Sequence, residues 1–180
     1  MSMNDVFFRS IWIVAIILIL LFIYLIYIGI SVFFMRVFSK KIETTRQVIS
    51  VVVYQKYESL DFTAESLIKL GYSNAKLEAF AKADEYKEYK SILAKEFDES
   101  YKHSEEAYGI IKSVCLNLKI SDNLSEIKSS LQLIDALNSK YFESVQLYNT
   151  YVIGYNYWRN LFFTKWIKIL FKKEEIETIK

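Results

Sequence analysis

The chain has 180 residues, of which 53% are hydrophobic and 17% aromatic, a heavy apolar load for one domain plus an accessory segment. A net charge of +2 offers no general attraction for nucleic acid, and a lone cysteine, Cys115, excludes an internal disulfide and dependence on an oxidising compartment. Proline is absent and only four glycines occur, so long uninterrupted helices are expected.

A short N-terminal tail, residues 1–9, precedes the first element. Residues 10–35, SIWIVAIILILLFIYLIYIGISVFFM, carry no charge. As a helix they extend about 39 Å at ~1.5 Å per residue, more than the roughly 30 Å hydrocarbon core. A cleaved signal peptide has a shorter apolar region followed by small residues. This run is longer and ends in Phe33, Phe34 and Met35, so a retained transmembrane helix is the reading. Arg9 stands alone before it, whereas Arg36, Lys40, Lys41 and Arg46 follow. The positive-inside rule then places the N-terminus outside and everything after the span in the cytoplasm, as a single-pass protein of the cytoplasmic membrane.

After the span, Phe38, Ile42, Ile49, Val52, Leu60, Leu67 and Leu70 recur at helical intervals. VISVVVY, residues 48–54, would read as a strand in isolation; the flanking spacing and the lack of a turn signal make it helix. Nothing between the span and Ile49 ends a helix, so the two are expected to be continuous. Gly71 is the expected terminator, with Ser73 or Asn74 opening the next helix. A second stripe runs Tyr86, Tyr89, Leu93, Phe97, Tyr101, Tyr108, Ile111, Cys115 and Leu118. A break at residues 81–88 would make four bundle helices instead of three. SDNLSE, residues 121–126, breaks the chain again, with Asn123 and Glu126 spaced as a capping box. The last stripe, Leu124, Ile127, Leu131, Ile134, Asn138, Tyr141, Val145, Tyr148, Val152 and Tyr155, is a near-heptad seam whose one amide, Asn138, either fixes register or is a tolerated polar contact.

The fold class is therefore all-α: a transmembrane helix, then an antiparallel up-and-down bundle of three or four long helices over residues 36–160. Residues 161–180 form a basic aromatic tail. There Lys165, Lys168 and Lys172 share a helical face, with Phe162 and Trp166 among the rings around it. Such a helix suits the membrane interface as well as it suits capping a core.

Within the last helix, YNTYVIGYN, residues 148–156, repeats the pair Tyr-Asn seven residues apart. Seven residues are about two turns, so Tyr148 and Tyr155 share a face and are expected to be buried, with Asn149 and Asn156 on the seam edge. Gly154 between them suits close approach of a neighbouring helix. This stretch resembles the signature of the LemA family, matched by Tyr148, Asn149, Val152, Tyr155 and Asn156. NLKISDN, residues 117–123, is similar to the family's helix break before the motif, and QKYESL, residues 55–60, to its first-helix segment. The chain departs from the family pattern in lacking its prolines, as a divergent member would. The resemblance implies a cytoplasmic-membrane protein with an up-and-down bundle and no established enzymatic activity.

His103, the only histidine, has Glu99 and Glu106 at helical spacing. A di-iron bundle takes a Glu-x-x-His pair from each of two helices, which one histidine cannot supply. A solvent-facing, salt-bridged histidine is expected, and Cys115 is expected to be a buried small side chain. No motif for a metal, cofactor or phosphate is seen. The leading reading is a non-catalytic, membrane-anchored bundle that binds or scaffolds an unidentified protein partner, with the lipid bilayer as its other partner and an oligomer left open. The alternatives are a dimeric signal-transmitting membrane coiled coil and a metal-dependent helical-bundle enzyme.

Overall fold

The computed structural model describes residues 3–72, 75–82, 97–117, 125–161 and 176–179. Four α-helices account for nearly all of them: α1 (Met3–Lys69), α2 (Ala75–Lys82), α3 (Phe97–Asn117) and α4 (Ser125–Asn160). No strand occurs among the described residues, and VISVVVY lies within α1. The all-α expectation therefore holds. So does the continuity of the apolar segment with the helix that follows it, since no breaker interrupts α1 between them.

Helix α1 has two characters in sequence. Over its first part the large apolar side chains from Ile11 to Ile26 are almost all exposed, Leu18 and Phe22 among them. From Ile11 onward the helix is long and apolar enough to cross a membrane. Further on it shows one buried stripe, Ile49, Val52, Val53, Tyr57, Leu60, Ala64 and Leu67, while Val48, Val51 and Phe62 face outward. The end of α1 is a Schellman turn. Tyr72 N–H donates to Leu67 O at 2.9 Å and Gly71 N–H to Ile68 O at 2.9 Å. Gly71 holds the required left-handed conformation at φ 81°. Leu70, counted in the buried stripe from its spacing, is 49% exposed. As the residue before the left-handed glycine it has already turned off the core face.

The chain forms two compact units. One comprises Met1–Lys41 with Tyr151–Glu177, the other Ile42–Thr150 with Thr178–Lys180. In the second unit α3 runs antiparallel to α4, as the pairs Tyr101–Tyr141 and Tyr108–Asp135 show. Its core joins Leu60, Leu67, Leu77, Ile111, Ile127 and Ile134 from all four helices. Of the seam foreseen on α4, Ile127, Ile134, Tyr141, Val145, Tyr148, Val152 and Tyr155 are buried, and Leu131 is partly so. Asn138 turns its Oδ1 inward, where it has no partner among the described residues. Tyr86, Tyr89, Leu93, Leu118 and Leu124 lie outside the described residues. So do Ser73, Asn74, the Asn123 cap and most of the break expected at residues 81–88.

In the first unit α1 and α4 are antiparallel neighbours. Phe34 stacks on Trp158 with ring centroids 4.7 Å apart and planes 7° from parallel, and Phe38 approaches Tyr151. Gly154 makes the close approach expected of it: a Cβ there would sit 2.8 Å from two ring carbons of Phe38.

Candidate functional site

The repeated Tyr-Asn pairs point in two directions from α4. Tyr148, Val152 and Tyr155 point inward and are buried. Burial raises the pKa of both tyrosines, with Arg46 opposing the shift at Tyr148 and Arg159 at Tyr155. Asn149 and Asn156 lie one residue further round, half-buried at the seam edge.

Each asparagine holds one residue of the chain's C-terminal segment by its backbone. In the second unit Asn149 Nδ2 donates to Ile179 O at 2.8 Å while Ile179 N–H donates to Asn149 Oδ1 at 2.9 Å. In the first unit Asn156 Nδ2 donates to Ile176 O at 2.8 Å, and Ile176 N–H donates back to Asn156 Oδ1 at 3.3 Å. A carboxamide carries a donor and an acceptor side by side, so it can pair both backbone groups of a single residue, as a neighbouring strand does. Residues 176–179 belong to no helix, and Ile176 and Ile179 each give their N–H and C=O to this pairing.

A second polar constellation lies inside the second unit, within the QKYESL segment and opposite α3. Lys56 is completely buried and pairs with Glu105, whose side chain is 41% exposed. The Lys56 ammonium also sits 4.2 Å from the centroid of the Tyr101 ring. Burial pulls the Lys56 pKa below its ordinary value, and Glu105 opposes that pull by hydrogen bond and charge. Burial first, then Glu105, raises Tyr101. Tyr57 donates to Ser100 O at 2.7 Å, and its hydroxyl lies 3.3 Å from His103 Nδ1. Below this, Thr63 donates to Ser59 O at 2.6 Å and meets the Ser130 hydroxyl at 2.5 Å.

His103 is thus half-buried beside Tyr57, which corrects the solvent-facing position expected of it. The reason is helical phase. Ser100 and Ala107, three before and four after, are both buried, so position 103 falls at the edge of the core face while Glu99 and Glu106 point outward. Cys115 is half-buried, and burial raises its thiol, as suits an unreactive packing residue. Among the described residues no three His, Cys, Asp or Glu side chains gather in a way that would hold a metal ion.

The five motif positions Tyr148, Asn149, Val152, Tyr155 and Asn156 are therefore brought together on one helix, split between core and edge. Phe162, Lys165, Trp166, Lys168 and Lys172, assigned to the membrane interface or the core, lie outside the described residues. Sequence reasoning missed Lys56 and Tyr57 as buried polar residues. The sign was there, since Lys56 stands four residues from both Val52 and Leu60 on the buried stripe. It also missed the destination of the asparagines, which the sequence marks only by their heptad spacing. No family model matches the chain, and no curated protein or solved structure matches it either.

Proposed function

We propose that this chain is a divergent member of the LemA family, a non-catalytic single-pass protein whose helical bundle binds or scaffolds a partner protein at the cytoplasmic membrane. The observation that carries the reading is α1 itself. One unbroken helix bears a run of exposed apolar side chains from Ile11 to Ile26 and, further along, the buried stripe of a bundle. An exposed apolar run of that length is costly in water and stable in lipid. The double Tyr-Asn and the QKYESL segment supply the family resemblance. The non-catalytic assignment is supported by how the titratable groups are used. Lys56, Tyr57 and Tyr108 are tied into helix–helix hydrogen bonds and ion pairs, and Cys115 is raised away from the thiolate.

In this reading residues 1–9 are outside, residues 10–35 span the bilayer and the remainder is cytoplasmic. Reporter fusions test it. A cytoplasmic reporter joined after Lys180 should be active and its exported counterpart silent. The opposite pattern overturns the orientation, and release of the protein from membranes by alkaline carbonate overturns the anchor.

A further inference from the structure

Within the first unit α4 runs toward the apolar segment of α1 and packs beside its end. Counted from Ile11, the roughly 20 residues that cross a hydrocarbon core of about 30 Å end near Ile30. Phe33 and Phe34 stand just past that point and are both exposed, and Arg36 is the first charge after the run. With α1 as a span, Phe34 marks the depth at which hydrocarbon gives way to headgroups. Trp158 of α4 stacks on Phe34 with ring centroids 4.7 Å apart and therefore shares that depth. Tyr157 meets the Trp158 ring edge to face at 5.7 Å. The side of α4 that packs on α1 carries Gly154 and Trp158. Another side carries Ile153 and Tyr157, four residues apart and 63% and 61% exposed. They line a shallow, mainly apolar depression together with Asn156, Asn160 and Leu161. At the same level α1 exposes Arg36, Lys40 and Lys41, and the Lys41 ammonium lies 5.0 Å from the centroid of the Tyr151 ring of α4. Rings interleaved with cations at the end of a span have the chemistry of the membrane interface, where aromatic side chains sit at headgroup level and cations meet anionic lipid.

We propose that the face of α4 bearing Ile153, Tyr157 and Leu161 is a lipid-binding surface, seated in the interface of the leaflet in which the span ends. The proposal rests on the reading of α1 as a membrane span and adds a second lipid contact, made by a helix that does not itself cross. Lipid is the occupant because the stack of Trp158 on Phe34 sets the depth of this face. A second copy of the chain or a soluble partner would have to reach it through the headgroups. The contact has a mechanical consequence. A span longer than the hydrocarbon core can adopt a range of tilts, and packing on a neighbouring helix with interfacial Trp and Tyr narrows that range. Tyr157 and Trp158 supply those rings from α4, so they act as positioning residues for the span.

The test uses the full-length chain carrying Cys115→Ala, reconstituted into vesicles of phosphatidylcholine and phosphatidylglycerol in equal parts. Single cysteines introduced by Ile19→Cys, Ile153→Cys and Tyr157→Cys are each labelled with an environment-sensitive nitrobenzoxadiazole dye. All three positions are exposed, so the labelled variants should melt like the unlabelled protein by circular dichroism. Each label is then challenged with lipid carrying a doxyl quencher high on the acyl chain and, separately, with iodide in the water. The labels at 153 and 157 should lose roughly half of their emission or more to the lipid quencher, as expected for groups ~5–10 Å into the headgroup and acyl boundary. Iodide should dim them far less than it dims the same labels after solubilisation in denaturant. Labels at both positions that iodide quenches and the lipid quencher does not face water, which overturns the proposal. Labels shielded from both quenchers are covered by protein, a second copy of the chain, and that also overturns it. Because 153 and 157 are read in separate variants, a disturbance of the Tyr157–Trp158 contact in one leaves the other informative. The label at 19 reports the span itself. Quenching by lipid there without quenching at 153 and 157 removes the second contact and leaves the anchor, whereas its absence at 19 overturns the anchor and the proposal with it.

Discussion

Lys56 has no solvent exposure, and an ammonium in that position is tolerated only beside a counter-charge. Glu105 provides it from α3, and the face of Tyr101 provides a second, weaker attraction. The pair is asymmetric, because Glu105 keeps water and Lys56 does not. Glu105→Gln should therefore cost about 3 kcal/mol at pH 7, the lower end for stranding a buried charge. Lys56→Met should cost less. The pH dependence follows from the lowered Lys56 pKa. The unfolded chain holds its proton up to the ordinary value of 10.5 while the folded chain releases it earlier, so this group makes stability rise with pH in the window below 10.5. In Glu105→Gln the opposing charge is gone and the rise should steepen, so that part of the loss is recovered in alkaline denaturant melts. A pH-independent loss would mean that the pair contributes through packing alone. Tyr108 behaves in the opposite sense. Its hydroxyl donates to Asp135 Oδ1 at 2.7 Å, and burial, then Asp135, raises its pKa above the ordinary 10. A raised value means that its contribution is complete below pH 10 and falls as pH rises further, because the unfolded chain ionises first. Tyr108→Phe should lose about 2 kcal/mol at neutral pH, as for a hydrogen bond to a charged group. It should also flatten the decline above pH 10.

At the scale of the element, the helices were legible because their signals are local and periodic. α1 could be read as continuous since nothing in its sequence stops a helix, and its end was marked by the one glycine that adopts a left-handed conformation. The α4 seam could be read from its three–four spacing. What local periodicity could not give was the partner of each residue. The carboxylates near His103 in sequence suggest solvent, whereas Tyr57, forty-six positions away, lies against its ring. Their spacing marks the asparagines as seam-edge residues; that they pair with Ile176 and Ile179 depends on where the tail returns. Gly154 shows the same division. Its use for close approach was readable, but the side chain that fills the space, Phe38, was not. That ring is flanked by Phe34 at 6.5 Å and Tyr151 at 6.4 Å, which limits its room to retreat. Gly154→Ala gains about 1 kcal/mol in helix propensity and incurs an overpacking cost of typically 1–3 kcal/mol. We expect net destabilisation, measured as a lower melting temperature, and recovery when Phe38→Leu is added. A melting temperature that rises in the single variant would show that the ring moves aside freely.

For the whole molecule, the division of α1 into an exposed apolar run and a buried stripe makes a sharp prediction. Ile19 and Ile23 are 59% and 56% exposed, so neither is needed to fill a protein core. If lipid is what surrounds them, a charge there is expensive: about 2.5–3.5 kcal/mol for one arginine at the centre of a membrane helix on insertion scales. The variant Ile19→Arg with Ile23→Arg carries two such charges four residues apart, on the same side of the helix and near the middle of the span. It should lose most of its resistance to carbonate extraction. The bundle should be unaffected, since among the described residues the buried hydrophobic side chains begin only at Met35, well beyond the substituted positions, and detergent-solubilised variant and wild-type protein should melt alike by circular dichroism. The two readouts separate the two possible roles of the segment. Loss of membrane retention with an unchanged melt places Ile19 and Ile23 against lipid. Full retention would show that the run is not the anchor. A collapsed melt would show that it packs on protein, where arginines would be buried charges without partners.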